Sequence, residues 1–153
     1  MPPSDSDGLK LTQELKGLID GALDNGSPMV LAVVNEKGQP RLSFRGSVQV
    51  YSDDQVGLWV RNTGGETLGA IRNNPNVALI YRSATTPMIQ FAGRARIADD
   101  PAERERVFES APLRERSSDP DRKGVAVVID LDTVEGVLRM SPEGPAFVKM
   151  ART

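Results

Sequence analysis

The chain has 153 residues, 39% hydrophobic and 26% charged, which is enough for one domain with a proper core and too apolar for a disordered chain. Lys and Arg number 19 against 21 Asp and Glu, a net charge of −2, so no basic field draws the molecule onto nucleic acid or anionic lipid. Cysteine and histidine are both absent, which excludes disulfides, thiolate metal sites, Ser-His-Asp and Cys-His triads, HExxH zinc sites and histidine-ligated haem. An enzyme built from what remains would borrow its chemistry from a cofactor.

Residues 1–10 read as a flexible N-terminus, polar and acidic, without the charged-then-apolar pattern of a signal peptide. Residues 11–153 read as a single domain. The longest apolar runs, Met29–Val34 and Val125–Ile129, are far short of a membrane span, so a cytoplasmic protein is expected. Leu11, Leu15, Leu18, Ile19, Ala22 and Leu23 recur at helical spacing; Thr12 or Asp7 is placed to cap this helix, and Gly26 with Pro28 to end it. Met29–Asn35 predicts a buried strand and Glu36–Gln39 a turn. From Arg41 the period is two: Leu42, Phe44, Val48 and Val50 share one face, Arg41, Ser43, Arg45, Ser47 and Gln49 the other. A turn at Ser52–Gln55 leads to a third strand, Val56–Arg61, and the short links favour antiparallel neighbours.

Asn62–Glu66 is a glycine-bearing loop before a short helix, Thr67–Asn74, which Pro75 stops. Asn76–Arg82 and Pro87–Ile97 follow as strands. Asp99-Asp100-Pro101 starts a helix that runs to about Ser110. Leu113–Lys123 is charged, contains proline, and is expected to be mobile. Val125–Asp132, Val134–Met140 and Ala146–Met150 complete a set of seven or eight strands in meander-like order. The fold class this implies is mainly β with short helices, a small antiparallel barrel.

Two places invite chemistry. Arg41, Ser43 and Arg45 point the same way, and an arginine there could hold a phosphate bidentately; positions four apart on a strand are roughly 13 Å apart, so the two arginines would meet different parts of a ligand. The same pattern also describes an ordinary solvated face. The second place is Trp59-Val60-Arg61-Asn62-Thr63-Gly64-Gly65-Glu66-Thr67, where backbone N–H groups at a helix start, Thr63 and Thr67 hydroxyls and the Arg61 charge suit an anion. Glu66 opposes that unless it turns away, and a plain strand-to-helix loop explains the segment equally. Arginine supplies 14 of the 19 basic residues, which fits planar anion recognition or, more blandly, genome base composition.

In this order, "MVLAVVNEKGQPRLSFRGSVQVYSDDQVGLWVRNTGGETLGAIRNNPNVALIYR" followed by "MIQFAGRARIADDP" resembles the pyridoxamine 5′-phosphate oxidase-like family of FMN-binding split β-barrels, from about Leu11 to Ile97. The resemblance implies a homodimer with flavin mononucleotide in a cleft between two chains, and a small organic molecule as substrate of an oxidoreductase. Arg41, Leu42, Ser43, Phe44 and Arg45 would run beside the isoalloxazine and ribityl chain. Trp59, Val60, Arg61, Thr63 and Gly65 would lie near the ring or its phosphate, and Glu66 with Thr67 at the usual phosphate-binding pair. Met88 and Gln90 match where a later strand approaches the flavin. Members commonly carry Arg, Lys or Ser at that pair, so Glu66 is a departure. The oxidase proper ends in a substrate segment with an Arg-x-His pattern, and this chain ends in "EGPAFVKMART"; vitamin B6 oxidation is therefore not the expected activity. Related barrels bind deazaflavin F420 in place of FMN, and a non-enzymatic flavin store is a further alternative.

Overall fold

A computed structural model describes residues 8–153. Residues 1–7 of the expected flexible terminus, with the alternative cap Asp7, lie outside the described residues; Leu9 is already buried in the core. Helix α1, Gln13–Asp20, starts at Thr12, whose Oγ1 accepts a hydrogen bond from the Leu15 amide at 3.2 Å. Its apolar stripe, with Leu15 and Ile19 fully buried, packs into the main core.

The strands are β1 Met29–Val34, β2 Pro40–Arg45, β3 Gln49–Ser52, β4 Gln55–Val60, β5 Asn76–Tyr81, β6 Met88–Ile97, β7 Val125–Ser141 and β8 Gly144–Ala151. Helices α2 Glu66–Asn73, α3 Pro101–Ser110 and α4 Leu113–Ser117 complete the described elements. All pairings are antiparallel, in the order β2-β1-β5-β6-β7-β4-β3, with β8 added to β7. The sheet does not close, and β2, β3 and β8 each pair one strand only. No helix among the described residues is long and apolar enough to cross a membrane.

Three expectations are revised. The run from Arg41 to Val50 is two strands rather than one, because Gly46 and Ser47 interrupt it; Ser47 Oγ accepts from the Trp59 amide at 2.9 Å and donates to the Trp59 carbonyl at 3.0 Å, pinning the break to β4. The two strands predicted between Val125 and Met140 are one strand of 17 residues, β7. Along one edge it pairs β6 from Val127 to Val137; along the other it pairs β4 with its first part and β8 with its second. That fork splits the barrel. Leu113–Lys123, expected to be mobile, holds α4 and a turn in which the Asp119 carboxylate accepts from the Lys123 and Gly124 amides at 3.0 and 2.8 Å.

The core fills the concave side of the sheet with Met29, Leu31, Val33, Leu58, Val60, Leu79, Ile89, Phe91, Ile129 and Leu131. The alternation of β2 runs opposite to that of its neighbours. Arg41, Ser43 and Arg45 pair with Val33, Leu31 and Met29, all buried, and so share the core side of the sheet. Leu42 and Phe44 point outward and are 73% and 75% exposed. The outer side of β2, β1, β5 and β6 is accordingly apolar: one row reads Leu42, Ala32, Ala78, Ala92 and the next Phe44, Val30, Ile80, Gln90.

Helix α3 begins at Asp100, whose carboxylate accepts from the Glu103 amide at 3.1 Å, with Pro101 at the first helical position. Glu103 also ties the helix to the sheet: Arg96 donates two hydrogen bonds to it at 2.9 and 2.7 Å, and the Tyr51 hydroxyl a third at 2.7 Å. Those bonds, Arg96's first, hold its carboxyl down at about 2 instead of the ordinary 4.5. A carboxyl with a depressed folded-state pKa stabilises the fold above its unfolded value, and that contribution disappears as the pH falls from about 4.5 to about 2. Glu103→Gln should therefore be less stable than wild type near neutral pH by about 1 kcal/mol, the scale of a solvent-screened network. Denaturant midpoints measured across the acid range should converge near pH 2; a gap of constant size would contradict this role.

Candidate functional site

The seam beside the edge strand β2 is where the polar side chains gather. The β1–β2 turn is organised by Asn35, a buried residue whose Oδ1 accepts from the Lys37 and Gln39 amides at 3.0 and 2.9 Å, with Gly38 at φ +74° in the left-handed region that favours glycine. Its Nδ2 donates to Gln39 Oε1 at 3.0 Å and to Glu66 Oε1 at 2.6 Å. Glu66 is the first residue of α2, so one asparagine joins the turn to the helix start. Arg41 Nε lies 3.3 Å from Glu66 Oε2. The Asn35 hydrogen bond, helped by the Arg41 charge and opposed by some burial, holds the Glu66 carboxyl below its ordinary range.

Thr67 faces another partner. Arg45 donates through NH2 to Thr67 Oγ1 at 2.6 Å and through Nε to Ser43 Oγ at 3.0 Å. Arg41 and Arg45 therefore serve adjacent residues of the same helix start, as their separation along β2 requires. Arg45 is half-buried; burial pulls its pKa down, the Glu115 carboxylate raises it, and the neighbouring Arg61 lowers it again. Its hydrogen-bond partners among the described residues are hydroxyls. Glycine at the α2 N-cap, Gly65, leaves the first-turn amides without a side-chain cap. An open pocket of about 340 Å³ adjoins Glu66, lined by Asn35, Lys37, Gln39, Arg41, Gly65 and Ala70 among others. Arg61, just beyond β4, lies 3.6 Å from Glu115 of α4.

The structure thus brings Arg41, Ser43, Arg45, Gly65, Glu66 and Thr67 together and sets Arg61 nearby through Glu115. Thr63 lies exposed in the loop. Val60 is fully buried in the main core. Leu42, Phe44, Met88 and Gln90 are on the outer side of the sheet, away from the seam. Trp59 departs furthest from expectation. Because β4 is covered on both sides, alternation sends Leu58 and Val60 into the main core and Trp59 into a second one under α3, with Val107, Phe108, Ala126 and Val128. Its ring meets Phe108 edge-on at 4.9 Å and lies under the Arg104 guanidinium at 4.9 Å. The indole Nε1 donates to Asp119 at 2.8 Å. Burial pushes the Asp119 carboxyl up, but the bonds from Trp59, Lys123 and Gly124 outweigh it and hold the group below its ordinary range.

Two participants were missed from sequence. Asn35 carried a usable signal, an amide opening the Glu-Lys-Gly-Gln turn. Glu115 carried none, being one of many charges in an aperiodic stretch.

Residues 12–138 match the sequence profile of the family described as pyridoxamine 5′-phosphate oxidase. Among solved structures, a NimC/NimA family protein from Clostridium acetobutylicum is similar at 20% identity and a TM-score of 0.65, over 96% of this chain and 100% of that one. HupZ from Group A Streptococcus is similar at 23% identity and 0.63, over 81% and 91%. General stress protein 26 from Bacillus anthracis is similar at 22% identity and 0.56, over 90% and 100%. These likenesses concern the fold. No curated protein matches the chain.

Trp59→Phe should remove the indole donor and leave the half-buried Asp119 carboxylate with only its two amide partners, costing about 1 kcal/mol of stability, the net worth of one hydrogen bond. Thermal melting checks this, and a melting temperature equal to wild type would show that the Trp59–Asp119 bond contributes nothing.

Proposed function

Since the chain belongs to the pyridoxamine 5′-phosphate oxidase family, we propose that it is an FMN-binding oxidoreductase, a homodimer that acts on a small organic substrate other than pyridoxamine phosphate. One observation carries the reading. The core-facing side of β2 bears Arg41, Ser43 and Arg45 where its neighbours bear Val33, Leu31 and Met29, so an anion-binding seam lies in the unclosed edge of the barrel.

The residues present fit a flavin phosphate. A phosphate held in a cleft needs charge pairing and hydrogen bonds. Arg45 offers a guanidinium whose hydrogen-bond partners among the described residues are the hydroxyls of Ser43 and Thr67, and the uncapped start of α2 offers amides. Glu66, the departure from the family's basic pair, is already engaged by Asn35 and Arg41 and does not face the Arg45–Thr67 side. Arg45, Thr67 and the α2 amides would hold the phosphate, and Ser43 and Arg41 the stem that leads from it. When bound, FMN supplies hydride transfer; the chain positions it and excludes water.

Dimerisation follows from the same strand. Leu42 and Phe44 leave a broad apolar surface, which a second copy would cover. Met88 and Gln90 lie on that outer side, separated from β2 by the two strands β1 and β5, so one ligand can meet both groups only where two chains come together.

Titration of FMN and riboflavin into wild type, Arg45→Ala and Thr67→Val tests the site. Loss of the Arg45 contact should weaken FMN by about 10- to 150-fold and leave riboflavin unchanged, the effect of one charge-assisted hydrogen bond. Equal FMN affinity in Arg45→Ala and wild type would overturn the site and favour the deazaflavin F420 as cofactor.

A further inference from the structure

Helix α4 delivers a carboxylate to the phosphate side of the seam. Glu115 lies against Gly46, the residue directly after β2, and a Cβ at Gly46 would run into that carboxylate. The seat is therefore open to Glu115 because the chain has glycine at this point. Glu115 is mostly covered, with 17% of its side chain exposed. Its nearest cation is Arg61 at 3.6 Å, and its charge also acts on Arg45. At that distance it is held by charge, with no hydrogen bond from Arg61. By contrast, Glu66 on the other flank is fixed by the Asn35 hydrogen bond at 2.6 Å.

Resting on the flavin-phosphate reading, we propose that Glu115 is a specificity-determining residue: a built-in counter-anion at Arg45 and Arg61 that a ligand phosphate must displace or oppose. Of the three arginines around the seam, Arg41 is paired with Glu66 and Arg61 with Glu115, while Arg45 has no carboxylate at ion-pair distance among the described residues and feels the Glu115 charge from farther off. The phosphate dianion of FMN meets a seam of lower positive charge than three arginines would give. The affinity gap between phosphorylated and unphosphorylated ligand is thereby narrowed, while the seam itself stays paired before any ligand arrives. A carboxylate that merely positioned Arg61 would have the opposite effect on removal, because the loosened arginine would serve the phosphate less well.

The experiment compares FMN and riboflavin dissociation constants in wild type, Glu115→Gln, Glu115→Ala and Arg45→Ala, with melting temperatures to confirm folding. Removing the Glu115 charge should tighten FMN by about tenfold in both Glu115 variants and leave riboflavin unchanged. The gain should shrink as salt is raised, since the exposed part of the seam is screened. Unchanged or weaker FMN binding in the Glu115 variants, together with FMN loss in Arg45→Ala, would overturn the role of Glu115 and leave the phosphate site standing. If neither flavin binds wild type, or Arg45→Ala binds FMN as wild type does, both the site and this inference fall.

Discussion

A guanidinium cannot sit unsolvated and unpaired in an apolar core, and β2 places two of them on the side of the sheet where Met29, Leu31 and Val33 are buried. That constraint has two solutions, and the fold uses both. The sheet stays open at β2, so that Arg41 and Arg45 reach solvent along the seam. The start of α2 and the β1–β2 turn supply acceptors: Glu66 for Arg41, and the Thr67 and Ser43 hydroxyls for Arg45. Because side chains alternate along a strand, the same choice sends Leu42 and Phe44 outward. A polar seam on one side and an apolar outer surface on the other are therefore one feature of six residues.

The rest of the chain holds that strand in place. Strand β7 pairs β6 on one edge and divides its other edge between β4 and β8. The close approach of β6 and β7 depends on Gly93, where a Cβ would run into the Asp130 carbonyl, and Gly136, where it would run into that of Met88. On the far side, α3 is docked by Glu103 on Arg96 and Tyr51, and Trp59 anchors the turn after α4 through Asp119. That turn follows α4, the helix that carries Glu115, so the second core helps to set the carboxylate whose charge acts on Arg45.

Much of the fold was legible in the sequence. The apolar stripe from Leu11 to Leu23 became α1, the Asp100–Pro101 start became α3, and the pairings are antiparallel as expected. The meander-like order was not: β2 and β3 stand at opposite ends of the strand order despite the short link between them, and β4 pairs β7 instead of β5. What alternation could not show was which side of β2 faces the core. Leu42 and Phe44 look like core residues by period and by type, and only the pairing with β1 assigns them outward. Trp59, placed near the flavin by the family resemblance, is buried in the second core: a strand covered on both sides sends alternate residues into different cores, and periodicity does not distinguish them. Of the candidate site, Arg41, Ser43 and Arg45 were visible as the polar face of an alternating strand, and Glu66 and Thr67 through the family resemblance. Glu115 was not, since its position depends on how an aperiodic segment folds back over Gly46.

The central claim is that the inversion of β2 turns the outer face of the sheet into a surface between two copies of the chain. Sedimentation equilibrium on wild type and Phe44→Asp tests it most directly, because a carboxylate on that surface would be buried unpaired in a dimer and solvated in a monomer. Wild type should sediment at about twice the 16.6 kDa chain mass, and Phe44→Asp at the mass of a single folded chain. A wild type that stays monomeric, or a Phe44→Asp variant that dimerises as tightly as wild type, would contradict the account.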